Sequence, residues 1–150
     1  MDTSEQELEV LRKFSDIAAL AGIKGDINEE APSFSAGFEL PEGRSQMVYV
    51  RPLPEAVGGK DAVCIFSPCR RVKKGILGGL KKNEAMELLQ LNSQLLLARY
   101  AIEDAEDGYM VVTSIDCVLD TLDAEEVEAY FWSLAIAADN YEKRFGGDEF

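Results

Sequence analysis

The side chains that could do chemistry in this chain fall into three groups: an acidic cluster, a glycine-interrupted run of cations, and three cysteines. Glu103, Asp104, Glu106 and Asp107, followed by Gly108, have the composition of a calcium loop. Such a loop needs oxygen ligands at fixed alternate positions and a closing glutamate at its twelfth. Counted from Glu103, the third position is Ala105 and the twelfth is Ser114, so oxygens are missing where the ion needs them. A solvated hairpin with an Asp-Gly turn is expected instead.

The run KKGILGGLKK has the look of a phosphate-binding loop, which requires glycine, four residues, then Gly-Lys-Ser/Thr. Counted from Gly75, the last three places hold Leu80, Lys81 and Lys82, so both the second glycine and the magnesium-binding hydroxyl are lacking. No nucleotide site is expected. What remains is a cationic loop, Arg70, Arg71, Lys73, Lys74, Lys81 and Lys82, placed to meet this protein's own acidic face or a partner's, or simply to be solvated. Cys64, Cys69 and Cys117 are an odd number without framework spacing, which points to reduced thiols. Cys64 and Cys69 point to opposite faces if one strand contains both, and Cys69, beside Arg70 and Arg71, is the one whose thiolate neighbouring cations would favour. Histidine is absent, which excludes Ser-His and Cys-His catalytic arrangements and leaves zinc only an unusual ligand set. No catalytic, cofactor-binding or metal-binding residue is expected, and the chain reads as a non-enzyme without cofactor.

Composition bounds the partners. With 150 residues, 47% of them apolar, the chain is the size of a single domain, residues 1–150, with a real core. Fifteen basic against twenty-eight acidic residues give a net charge of −13, which works against nucleic acid and anionic membranes. The N-terminal MDTSEQELEV lacks the basic and apolar regions of a leader, and no run is long enough to span a bilayer, so a cytoplasmic protein is expected.

Periodicity supplies the elements that must position these groups. Ser4 and Glu7 form a capping box ahead of Leu8, Leu11, Phe14, Ile17, Ala18 and Ala21, an amphipathic helix ending near Gly22. FSAGFEL and QMVYVRPL alternate at period two around PEGRS and predict a hairpin, closed by Pro52 and Pro54. AVCIFS predicts a buried strand ending near Pro68. Asn83 is placed to cap a helix to about Leu96, whose wide apolar face suggests burial on two sides. ARYAIED and YMVVTSI predict a second hairpin. Asp123 and Glu126 then open a helix carrying Val127, Phe131, Leu134, Ala138, Tyr141 and Phe145, with Tyr130 and Trp132 off that stripe as candidate interface residues. The fold class is α+β, a single domain of order α-β-β-β-α-β-β-α with an antiparallel sheet packed by helices.

From Glu87 onward the pattern resembles a known group. The positions are Leu88, Leu89, Leu91 and Asn92 at a helix end, Asp107 and Gly108 at a hairpin, and Ala138, Asp139 and Tyr141 in the last helix. This resembles the C-terminal half of the bacterial class I type III secretion chaperones and the related YbjN-like proteins, and the element order is similar over the whole chain. Where YbjN-like sequences carry Pro-Phe-Gly after the helix, this chain has Leu96, Leu97 and Ala98.

The resemblance implies a small acidic cytoplasmic homodimer that binds another protein without catalysis. On it, Leu88, Leu89, Leu91, Asn92 and Leu95 are expected at the dimer contact, and Leu8, Leu11, Phe14, Val48 and Val50 on the surface that holds an extended client. The alternative it leaves open is a regulatory or accessory protein that docks on a folded partner.

Overall fold

The computed structural model describes residues 2–75 and 79–146. It is an α+β domain in which three helices accompany one six-stranded antiparallel sheet, in the order α1 (Thr3–Leu20), β1 (Asp26–Asn28), β2 (Ser33–Glu39), β3 (Ser45–Val57), β4 (Lys60–Lys73), α2 (Lys82–Asn92), β5 (Arg99–Ala105), β6 (Gly108–Val118) and α3 (Ala124–Phe145). The strands lie in the order β1-β2-β3-β4-β6-β5. The first strand, Asp-Ile-Asn, is an addition to the expected order, too short and polar to show a period.

Both long helices form where apolar side chains recur at helical spacing, but their starts differ from one another. The α3 capping box is formed as expected, with Glu126 N–H donating to Asp123 Oδ1 at 2.8 Å and Asp123 N–H to Glu126 Oε1 at 3.2 Å. At α1 the cap is Asp2, which accepts from Glu5 N–H at 2.9 Å, and Ser4 lies inside the helix. Aspartate caps as well as serine, and it stands earlier in the chain. Gly22, at φ 78°, reverses the chain, and Ile23 N–H returns to Ala18 O at 2.9 Å.

The helices α1 and α3 lie on one face of the sheet, α1 over β2 and β3, α3 over β3, β4 and β6. Between helices and sheet, Phe14 meets Phe34 edge-on at 5.3 Å and stacks on Phe131 at 6.2 Å. A core built from large aromatics in contact gains both area burial and ring geometry.

Two strands run further than their prolines suggested. β3 passes through Pro52 and Pro54 because β2 pairs with it only as far as Val50, so beyond that point one side of β3 has no ladder to lose. β4 passes through Pro68 because the register slips there: Pro68 faces Val112 and Arg70 faces Val111, leaving Cys69 as the extra residue of a bulge. The β5–β6 hairpin turns on Glu106 and Asp107, with Ala105 opposite Gly108. Gly108 is the first residue of β6 and not a turn residue; a Cβ there would run into the Val72 carbonyl oxygen of β4.

The helix α2 is shorter than expected and its N-cap is Lys81, without a side-chain hydrogen bond, not Asn83. It ends at Asn92 because that side chain is taken up by the next strand. Asn92 Oδ1 accepts from Tyr100 N–H at 2.7 Å and Nδ2 donates to Tyr100 O at 2.9 Å. The amide thus stands in for a neighbouring strand at the start of β5.

Candidate functional site

The residues expected to hold a client are mostly core. Leu11, Phe14, Val48 and Val50 are fully buried between α1 and the sheet, and Leu8 is half-buried. The period-two and period-3.6 patterns located the apolar face of each element correctly, and those faces are turned against each other. They form no surface, which corrects the client-binding assignment for these four positions.

The expected dimer set divides. Leu88 is buried over β5, and Leu91 and Leu95 pack half-buried against the core. Asn92 is committed to Tyr100. Leu89 alone is well exposed, at 66%. Also exposed are Met86 of α2 and Leu96 of the connection, both of which belong to the wide apolar face expected for this helix, together with Leu97 of the connection and Ile102 of β5. A shallow apolar hollow lined by Leu88, Leu89, Tyr100 and Ile102 lies in the same region.

The cationic set is no loop at its N-terminal end. Arg70, Arg71 and Lys73 belong to β4, and Arg70 is spent inside the molecule, 3.0 Å from Glu84 of α2, which also accepts from Tyr141 OH at 3.2 Å. Glu87 of α2 pairs with Arg144. Lys74 lies over the Tyr109 ring at 5.2 Å, Lys81 caps α2 and Lys82 begins it. Residues 76–78 of this segment lie outside the described residues. Of the two candidate interface aromatics, Tyr130 is half-buried with its hydroxyl on Glu126, whereas Trp132 is half-exposed and meets Phe38 edge-on at 5.9 Å.

A buried ionic cluster, not anticipated, lies where α3 crosses β3. Asp139 and Glu142, both 4% exposed, converge on Arg44, which reaches Glu142 Oε2 at 3.2 Å and also pairs with Asp139. Gln46 Nε2 donates to Glu142 at 3.0 Å, and Lys143 reaches Asp139 at 3.2 Å. The Arg44 guanidinium, the Gln46 amide and the Lys143 ammonium thus converge on these two carboxylates. Among the described residues, no three side chains of the Cys, Asp and Glu types are gathered as a metal site.

Burial holds the three thiols in their neutral form. Cys69 is fully buried, and burial, reinforced by the negative charge of Glu142, drives its thiol well above the usual range; of the neighbouring cations expected to favour its thiolate, Arg70 is paired with Glu84. Burial first, then the Asp116 carboxylate, pushes Cys64 up to about 11 against the opposing Arg51. Burial pushes Cys117 up to about 12. All three are protonated at neutral pH.

The face of the sheet away from α1 and α3 is the other surface. Alternation along β3 and β4 places Tyr49, Arg51, Cys64 and Phe66 there, with Tyr49 and Phe66 stacked at 5.6 Å and the Arg51 guanidinium 5.1 Å from the Phe66 ring centre. Arg51 Nη2 also donates to Glu103 Oε1 of β5 at 2.9 Å. The signal for this face was present in AVCIFS, which is apolar at both alternations. No helix among the described residues is long and apolar enough to cross a membrane. No protein-family model matches this chain, and no curated protein is significantly similar to it in sequence.

Proposed function

We propose that this chain is a non-enzymatic protein-binding module of the cytoplasm, a homodimer resembling a secretion chaperone, which holds an extended client segment on an apolar surface. The observation that carries the reading is the concentration of exposed large apolar side chains at one edge of the sheet: Met86, Leu89, Leu96, Leu97 and Ile102, at 47% exposure or more. Apolar patches of this kind on an otherwise charged surface mark protein contacts. They flank β5, the last strand of the sheet, whose outer side pairs with no strand among the described residues. Such an edge is a template for a two-fold contact in which the same strand and helix meet their own copies.

Light scattering on the purified chain tests the dimer: the expected mass at micromolar concentration is twice 16.5 kDa. Leu89→Glu and Ile102→Glu should each return the monomer mass, and a wild-type monomer at that concentration overturns the assignment.

A second reading, a regulatory or accessory module that docks on a folded partner, is favoured by one observation. With Leu11, Phe14, Val48 and Val50 in the core, α1 offers no apolar strip to an unfolded client. Gene neighbourhood separates the two, since a secretion chaperone is expected beside its client.

A further inference from the structure

We propose that a groove at the margin of β3 beyond the end of β2, opening onto the sheet face that carries Tyr49, Arg51 and Phe66, binds an extended protein segment in which a carboxylate and an aromatic side chain stand two residues apart, with Arg51 reading the carboxylate. The inference rests on the protein-binding reading above and adds what the bound segment contains.

The groove runs along residues 49–53 of β3 past the point where β2 stops pairing, is completed by Pro32 and Ser33 at the start of β2, Phe66 of β4 and Glu7 of α1, and measures about 640 Å³. Its lining is mostly apolar, and its charged members are Arg51 at the middle and Glu7 at the α1 end. An open, strand-lined trough of this size suits a peptide segment better than an enclosed small molecule.

Arg51 already holds a carboxylate in an unusual way. Its strand, β3, is separated from the strand of Glu103, β5, by both β4 and β6. Three strand spacings amount to about 14 Å across a flat sheet. The two side chains nevertheless meet at 2.9 Å, because the sheet curls and both reach over this face. Glu103 is thus an internal occupant of the position a partner's carboxylate would take. The pair is 47% and 30% exposed, and ion pairs that open to solvent contribute little, so a partner's carboxylate displaces Glu103 at small cost.

The aromatic requirement follows from register. Tyr49 and Arg51 are two residues apart on one face of β3, and Phe66 lies beneath both. An extended segment has the same period of two, so a carboxylate over Arg51 places the side chain two residues away over the Tyr49–Phe66 stack. In a chain of net charge −13, a guanidinium inside an apolar groove also selects against lysine- and arginine-bearing segments there.

The test uses two pools of capped seven-residue peptides, identical except for Glu or Gln at the centre, each with Phe or Tyr two residues away. Both are titrated into the ¹⁵N-labelled full chain. The Glu pool should shift the amides of Tyr49, Arg51 and Phe66 and bind about tenfold more tightly than the Gln pool, the worth of one charge-assisted hydrogen bond. Arg51→Met should erase that difference. Glu103→Gln, which frees Arg51, should tighten the Glu pool roughly threefold and leave the Gln pool unchanged. Both substitutions are at partly exposed side chains, and an unchanged amide spectrum verifies the fold of each variant.

Equal binding of the two pools, or a Glu103→Gln variant that binds the Glu pool no better, overturns the carboxylate reading while leaving peptide capture intact. Shifts confined to α2 and β5 overturn the groove and move capture to the other surface. An absence of shifts anywhere with either pool defeats both this inference and the extended-client reading beneath it.

Discussion

Replacing Arg44 by methionine removes a guanidinium that both buried acids of α3 share. The Asp139 and Glu142 side chains are 6% and 1% exposed, and they stand in the last turns of α3, where the helix dipole already disfavours negative charge. Breaking a buried pair by deleting one partner costs about 3–5 kcal/mol, because the other charge stays buried and uncompensated. The Arg44 side chain is 33% exposed, so water screens part of the interaction, and Lys143 still reaches Asp139. A loss of about 2–4 kcal/mol is expected, a fall in melting temperature of roughly 5–15 °C for a chain of this size.

Urea denaturation followed by circular dichroism measures it, provided that the slope against urea is unchanged. Adding Asp139→Asn and Glu142→Gln to the variant removes the stranded charges and should recover more than half of the loss. A single-variant cost below about 1 kcal/mol, or a triple variant less stable than Arg44→Met alone, would refute the claim that this cluster is a mutually dependent buried network.

Asn92→Ala deprives both backbone groups of Tyr100 of their partner and should cost about 1–3 kcal/mol, with faster amide exchange at Tyr100 itself; unchanged exchange there would argue against the strand-mimicking role. Gly108→Ala sets a methyl group against the β4 backbone and should destabilise by about 1–3 kcal/mol, whereas the same change at Gly58, whose added Cβ meets nothing within 4 Å, tests strain without crowding; equal effects at both sites would mean that crowding by Val72 is not the cause.

The α+β class, the two long helices and the pairing of strands into hairpins were legible because each is written in a local period. The Asp123–Glu126 capping box lies within four residues, and the alternation in FSAGFEL within seven. The ends of β3 and β4 were not legible, because a proline's effect on a strand depends on which neighbour runs alongside, and that neighbour is far away in sequence. The client-binding residues were misassigned for a related reason. Periodicity says that Leu11, Phe14, Val48 and Val50 share apolar faces, but not that those faces meet one another.

The sequence by itself determined composition, charge, the absence of histidine chemistry, and the element pattern, all of which are sums or short-range periods along the chain. Only the tertiary structure decided which apolar residues remain outside, and which charges meet. Arg44 and Asp139 are 95 positions apart, Arg51 and Glu103 are 52, and neither pair has a sequence signal of its own. Their encounters are set by strand order and by the curl of the sheet, properties of the assembled ladder that no single segment contains.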